Sequence, residues 1–174
     1  MVEGRPPMSQ STSEAAMRAA TIGELQVLDG PVVLADNAPR WPGCVGGEAE
    51  RVRAALGDRV RMLEHAGSTS VPGLAAKPII DIVLAVLDSS DEAAYVPPME
   101  GAGYILRIRE PEWFEHRLFR RPDASVNVHV FTAGSPEIGR MLAFRDWLRS
   151  HDEERRLYEQ TKRALAARTW KYVQ

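Results

Sequence analysis

Residues 64–86 read EHAGSTSVPGLAAKPIIDIVLAV, and the fold turns on how this stretch is read. Its end, PIIDIVLAV (78–86), is the longest apolar run of the chain. Near-continuous apolar character predicts a strand covered on both faces, hence an interior strand. Asp81 sits inside that run, among Ile79, Ile80, Ile82, Val83 and Leu84. A carboxylate there is costly to bury unless something pairs with it. Before it, Gly67-Ser68-Thr69-Ser70 reads as a turn entering a single helical turn, limited by Pro72 and Gly73. Such a turn presents backbone N–H groups and hydroxyls, an anion site suited to a phosphate. A plain turn with hydroxyl capping is the competing reading. Asp81 follows Ser68 by 13 residues. That spacing returns the carboxylate beside the turn, the arrangement that holds magnesium against a nucleotide. The competing reading is a structural acid satisfied by backbone donors or by Lys77.

Upstream, RVRMLEH (59–65) alternates with period two and predicts a strand. CVGGEAERVRAAL (44–56) predicts a helix with Val45, Ala49, Val52 and Leu56 on one face. Residues 22–35 predict a short amphipathic piece, a turn at Asp29-Gly30-Pro31, and a strand-like VVLA. Asn37 to Pro42 reads as a rigid loop. Residues 1–20 are polar, small-residue-rich and proline-containing, and read as a disordered tail preceding one domain over 21–174. Downstream, a helix from about Asp91 is capped by Asp88-Ser89-Ser90 and interrupted or re-aimed at Pro97-Pro98. YILRIRE (104–110) predicts a strand. EHRLFRR (115–121) and ASVNVHVFT (124–132) flank Pro122-Asp123 as a hairpin. Ser135-Pro136 starts a helix whose Ile138, Met141, Leu142, Arg145 and Leu148 share a face. Asp152 starts the last helix. This order predicts a single α+β domain, with one mixed sheet and a helical C-terminal end.

The chain has 174 residues, enough for one domain with a proper core. A net charge of -2 supplies no overall field to recruit nucleic acid or anionic membrane. One cysteine, Cys44, excludes an internal disulfide and a cysteine-based zinc site, and suits a reducing cytosol. No apolar run is long enough to span a membrane, and the N-terminus lacks the pattern of a secretory signal. A cytoplasmic location is the expectation.

HAGSTSVPGLAAKPIIDI resembles the signature of the GrpB family, a group found fused behind dephospho-CoA kinase in some bacteria. Trp41-Pro42 and Glu48, NVHVF (127–131), AFRDWLRSH (143–151) and LYEQTKRAL (157–165) resemble its other blocks, in the same order. The resemblance spans about residues 30–168. It implies a nucleotidyltransferase-like fold, with a Gly-Ser turn and acidic residues on adjacent strands. Active nucleotidyltransferases carry a second acid two residues after the first, and a third on a neighbouring strand. Here Val83 takes the second position, and His129 stands where the third is expected.

The resulting expectation is a site that binds a nucleotide or another phosphorylated small molecule. Gly67, Ser68, Thr69 and Ser70 hold the phosphate. Asp81, with His129, holds magnesium or another divalent metal, or His129 acts as a general base. His65 overhangs the same pocket or is a strand-end histidine capped by backbone. Lys77 neutralises a phosphate or pairs with Asp81. Arg145 shares an apolar face, so it reaches a ligand or merely packs its stem. Lys162 follows Tyr158 by four residues, which lets both face one site. Of Arg117 and Arg120, at most one faces the sheet centre. The expected activity is transfer of a nucleotidyl or phosphate-linked group to a small acceptor. The rivals are a catalytically degenerate ligand-binding regulatory domain, and a metal-dependent hydrolase or ligase using Asp81, His65 and His129.

Overall fold

A computed structural model of the protein describes residues 14–27, 30–36, 41–123, 125–170 and 172. The strands are β1 (Met62–Ala66), β2 (Ile80–Val86), β3 (Ile105–Glu110), β4 (His116–Arg120) and β5 (Val126–Thr132). The helices are α1 (Glu14–Ala20), α2 (Trp41–Leu56), α3 (Glu92–Gly101), α4 (Pro136–Ser150) and α5 (Asp152–Ala166). The strands form one sheet in the order β1-β2-β5-β4-β3. β2 and β5 run parallel, and the other neighbours are antiparallel. It is a mixed sheet in a single α+β domain, as the pattern predicted.

Period two sorts each strand into two faces. Ile80, Ile82, Leu84, Val126, Val128, Val130 and Phe119 point to one face, where Val52 and Leu56 of α2 and Tyr95 and Met99 of α3 cover them. Val83, Ala85 and Phe131 point to the other, against Ile138 of α4. That second face is covered at one end only. Its other end carries Asp81 from β2 and Asn127 and His129 from β5, and lies open as a cavity. A third cluster of Val71, Leu74 and Leu148, with Tyr158 against it, fastens the segment after the Gly-Ser turn to α4 and α5.

Several expectations change. Residues 14–20, expected as tail, are helical. Alanine content favours that, and an Arg18–Glu14 ion pair at i,i+4 adds to it. Residues 1–13 of that expected tail lie outside the described residues, as do Asp29 of the first turn and residues 37–40 of the proline loop. VVLA forms no strand. Pro31 removes a donor at its start, and only Ala35 pairs, exchanging hydrogen bonds of 2.8 and 2.9 Å with Ala76. α3 runs through Pro97 and Pro98 instead of breaking there. Tyr95 and Met99 anchor it in the core, and it ends three residues after Pro98. Its cap also differs: Asp88 Oδ1 accepts hydrogen bonds from Ser90 N and Oγ, a local turn preceding the helix. The hydroxyl of Ser135 does not cap α4. Among the described residues no helix is long and apolar enough to cross a membrane.

Candidate functional site

The site begins with the approach of Gly67 to Asp81. Ala66 is the register partner of Asp81, so the chain leaves β1 beside the carboxylate. Gly67 continues with φ +66, and a Cβ there would overlap Asp81 Oδ2. Only a glycine satisfies both the positive φ and the close approach. Ser68–Ser70 then forms one 3₁₀ turn. Ser70 Oγ donates to Gly67 O at 2.6 Å and locks that turn from within. Arg149 of α4 clamps it from outside, donating twice to Ser70 O at 2.8 and 3.0 Å.

The cavity beside the turn has a volume of about 360 Å³. Gly67, Ser68 and Thr69 line one side, and Asp81, Asn127 and His129 form the floor. Lys77, Lys162 and Arg120 bring three cationic groups to it. Lys162 reaches over from α5, its Nζ donating to Ser68 Oγ at 2.7 Å and Ala75 O at 2.9 Å. Burial, with Lys77 nearby, pulls the Lys162 ammonium down to about 8, against the pull of Asp81 and Glu159. Burial also lowers Lys77, with Asp81 opposing. Arg120 shares its face because it pairs in register with Asn127, and its Nε donates to Asn127 Oδ1 at 3.1 Å. Arg117 points the other way, to Glu92 at 2.6 Å. That settles which of the two arginines reaches the site.

Asp81 is 27% exposed at its side chain. Burial alone would raise its carboxyl. His129, Asn127 and Lys77 together outweigh that and hold it below the ordinary value. Asn127 Nδ2 donates to Oδ1 at 2.9 Å, and His129 Nε2 lies 3.5 Å from the same oxygen. Behind His129 the polar chain continues. His129 Nδ1 is 3.1 Å from His116 Nε2, and His116 Nδ1 is 2.8 Å from Glu110 Oε2. His116 is 3% exposed, and Phe114 and Glu115 immediately before it take positive φ values of 54 and 51. Backbone strain of this kind persists where the surroundings over-determine it, and it clusters at ligand sites.

This chain of contacts fixes tautomers. Burial lowers His116, and Glu110 opposes without overcoming it. A neutral His116 donates from Nδ1 to Glu110, so its Nε2 accepts from His129 Nδ1. His129 Nε2 is then the atom left facing Asp81. Three bridging protons would be needed to satisfy every contact from Glu110 to Asp81, of which the neutral His116 supplies one. The His129–Asp81 gap is where the third proton, or a metal ion in its stead, has a place.

The residues expected at the site divide as follows. Gly67, Ser68, Thr69, Lys77, Asp81, His129 and Lys162 converge on the cavity. Ser70 closes the turn instead of lining the cavity. Arg145 ties α4 to β1 through His65 O at 2.8 Å and Glu64 at 3.0 Å. His65 pairs in register with Ile82, on the opposite face from Asp81, and its Nε2 meets Thr69 Oγ1 at 3.0 Å. It braces the turn from behind. Glu110, His116 and Asn127 had not been singled out in the sequence. The signal was present in the alternation, which puts His116 with Leu118 and Arg120, and Asn127 with His129.

His65 carries a test of its bracing role. Burial, then Arg149 and Arg145, lower its pKa from 6.5 to about 4, with Asp81 opposing. Between those values the unfolded chain binds the proton and the folded one does not. Stability present at pH 7 is therefore lost as pH falls through this window, by up to about 3 kcal/mol from His65. Urea midpoints are expected to fall from pH 7 to 4.5, and to fall less in His65→Gln. His116, lowered in the same direction, leaves a residual slope. Equal slopes in both proteins would remove His65 as a source.

Comparison with known proteins adds the following. The family model described as GrpB protein matches residues 31–174. A UPF0157 protein of Halalkalibacterium halodurans is 50% identical over 174 residues, 97% of this chain and 89% of the relative. A dephospho-CoA kinase of Mycolicibacterium paratuberculosis is 28% identical over 176 residues, 86% of this chain and 43% of that protein. The crystal structure of conserved protein GrpB from Enterococcus faecalis superposes with a TM-score of 0.70 at 32% identity, covering 77% of this chain and 82% of that one.

Proposed function

The chain belongs to the GrpB family, and from its site we propose that it binds a nucleotide or another phosphorylated small molecule through the Gly67–Thr69 turn. One observation carries this reading: Lys77, Lys162 and Arg120 face a single cavity in which Asp81 is held close against the turn. Three cations against two carboxylates, Asp81 and Glu110, leave net positive charge, which a phosphate neutralises. Ser68 and Thr69 add hydroxyl donors at the same wall. A relative of which 43% is matched is named a dephospho-CoA kinase.

The residues do not fit a two-metal centre of three carboxylates. Val83, in the place of the second acid, is fully buried in the apolar cluster, and its register partner on β5 is His129, where the third acid is expected. They do offer two donors for one divalent ion, Mg²⁺ or another: Asp81 Oδ1 and His129 Nε2. When bound, such an ion supplies positive charge to phosphate oxygens. The chain's own residues then do the rest. Lys77, Lys162 and Arg120 hold the phosphate. Where no ion takes that nitrogen, His129 is instead a general base: His116 and Glu110 orient it, and its Nε2 accepts a proton from an acceptor hydroxyl during transfer of a nucleotidyl or phosphate-linked group. Val83, in the place of the second acid, favours a second reading: a catalytically degenerate domain that binds the same ligand and regulates.

Thermal denaturation with ATP, CTP, GTP and UTP, with and without Mg²⁺ or Mn²⁺, tests binding. At a hundred times the dissociation constant a ligand adds about 2.7 kcal/mol. At least one nucleotide is expected to stabilise, and no shift with any of them would sink the nucleotide form of the reading. Stabilisation without turnover in a pyrophosphate-release assay would select the regulatory form.

A further inference from the structure

A second cavity, of about 380 Å³, adjoins the first and shares Lys77 and Lys162 with it. Apart from the two lysines it is lined by Val32, Leu34, Leu165, Ala166, Trp170 and Tyr172. The two cavities differ in chemistry. In the polar one, Lys162 commits its Nζ to Ser68 and Ala75. What the same residue offers the second cavity is its methylene stem. The shared lysines are therefore a threshold, with their charge on one side and apolar surface on the other.

Trp170 is 39% exposed, and its indole Nε1 donates to Leu165 O at 2.8 Å. That bond spans the end of α5 and holds the ring in place before any ligand arrives. An oriented, half-open indole in the same apolar lining as Leu34 is a stacking surface. Each cavity alone lies at the lower end of the range for small-molecule sites, and the pair together suits a ligand of two unlike parts.

We infer that the cleft between Leu34 and Trp170 is a subsite for the planar aromatic moiety of the ligand, a nucleobase, whose phosphate lies across Lys77 and Lys162. This rests on the phosphate reading of the polar cavity and narrows it, because a bare phosphate or a sugar phosphate would leave the apolar cleft in contact with water. Stacking by aromatic side chains tolerates different bases, so the cleft specifies a base before it specifies which one.

The test is calorimetric titration of the full chain with tripolyphosphate and with ATP, CTP, GTP and UTP. At least one nucleotide is expected to bind about tenfold tighter than tripolyphosphate. Trp170→Ala and, separately, Leu34→Ser are expected to bring that nucleotide down to the tripolyphosphate level, with tripolyphosphate affinity and the thermal midpoint of the ligand-free protein unchanged. Nucleotides that bind no tighter than tripolyphosphate, or an advantage that survives both substitutions, would overturn the subsite and leave the phosphate site standing. Failure of tripolyphosphate and all four nucleotides to bind would overturn both.

Discussion

Gly67→Ala is expected to destabilise the protein by about 3 kcal/mol or more and to remove ligand binding. Two independent costs converge at this position. The backbone sits at φ +66, a conformation that strains any residue with a Cβ. The added carbon would also overlap Asp81 Oδ2 and come within 3.0 Å of Asp81 Cβ and Cγ. Asp81 cannot swing aside cheaply, since Asn127 donates to it at 2.9 Å on one side and His129 flanks it on the other. The turn must back away, which pulls Ser68 from Lys162 and Thr69 from His65. Urea denaturation at constant m-value measures the loss. The double variant Gly67→Ala with Asp81→Ala separates the costs. It is expected to lose less than the two single variants added together, because truncating the acid removes the overlap. Strict additivity would show that the strain lies in φ alone and that the turn does not depend on Asp81.

This pairing of glycine and acid was legible as two features and not as one contact. An acid in an interior apolar strand and a Gly-Ser turn 13 residues before it both stand out in the sequence. That they touch depends on the antiparallel register of β1 and β2, which puts Ala66 opposite Asp81. The same register explains why His65 was assigned to the pocket. One position along a strand reverses the face, and His65 is one position from Ala66. β1, β3, β4 and β5 and the helices α2 and α4 were legible because each carries a regular period, and β2 because a near-continuous apolar run marks a strand covered on both faces. VVLA was over-read because an apolar run without a partner strand carries no period of its own.

The polar floor was partly legible for the same reason. His129 was found by its strand position. Asn127 and His116 stand on the same face as His129, yet an amide and a buried histidine carry no charge pattern that singles them out. Their partners decide their role, and His116 reaches Glu110 across the β3–β4 pair. Arg145 shows the converse. Its place on an apolar helix face was unusual enough to notice, and the structure occupies it with His65 O, Glu64 and Asp146. An arginine with its donors engaged by protein oxygens is a strut. Lys162 also engages protein oxygens, but it does so at the cavity wall, where a ligand oxygen can join or replace them.

Lys162→Met is accordingly expected to weaken binding of the nucleotide about thirtyfold or more, while changing the stability of the ligand-free protein by about 1 kcal/mol or less. The reasoning is one of opposed terms. Truncation leaves Ser68 Oγ and Ala75 O without a donor, and it also removes an ammonium that burial has already pulled down to about 8. In the free protein these effects offset each other. In the complex the phosphate loses a desolvated charge with no compensation. The pH dependence separates the two states further. The unfolded chain holds the lysine proton up to 10.5 and the folded one releases it near 8, so stability of the free protein rises with pH across that interval. Phosphate binding selects the protonated form, so affinity falls with pH above about 8, with a slope that steepens toward tenfold per unit. Methionine at 162 is expected to abolish both trends. A variant that loses 2–3 kcal/mol of stability but binds as before would make Lys162 a strut like Arg145. A fall in affinity that persists above pH 8 in the methionine variant would move the titrating group to Lys77, the neighbour whose ammonium burial also lowers.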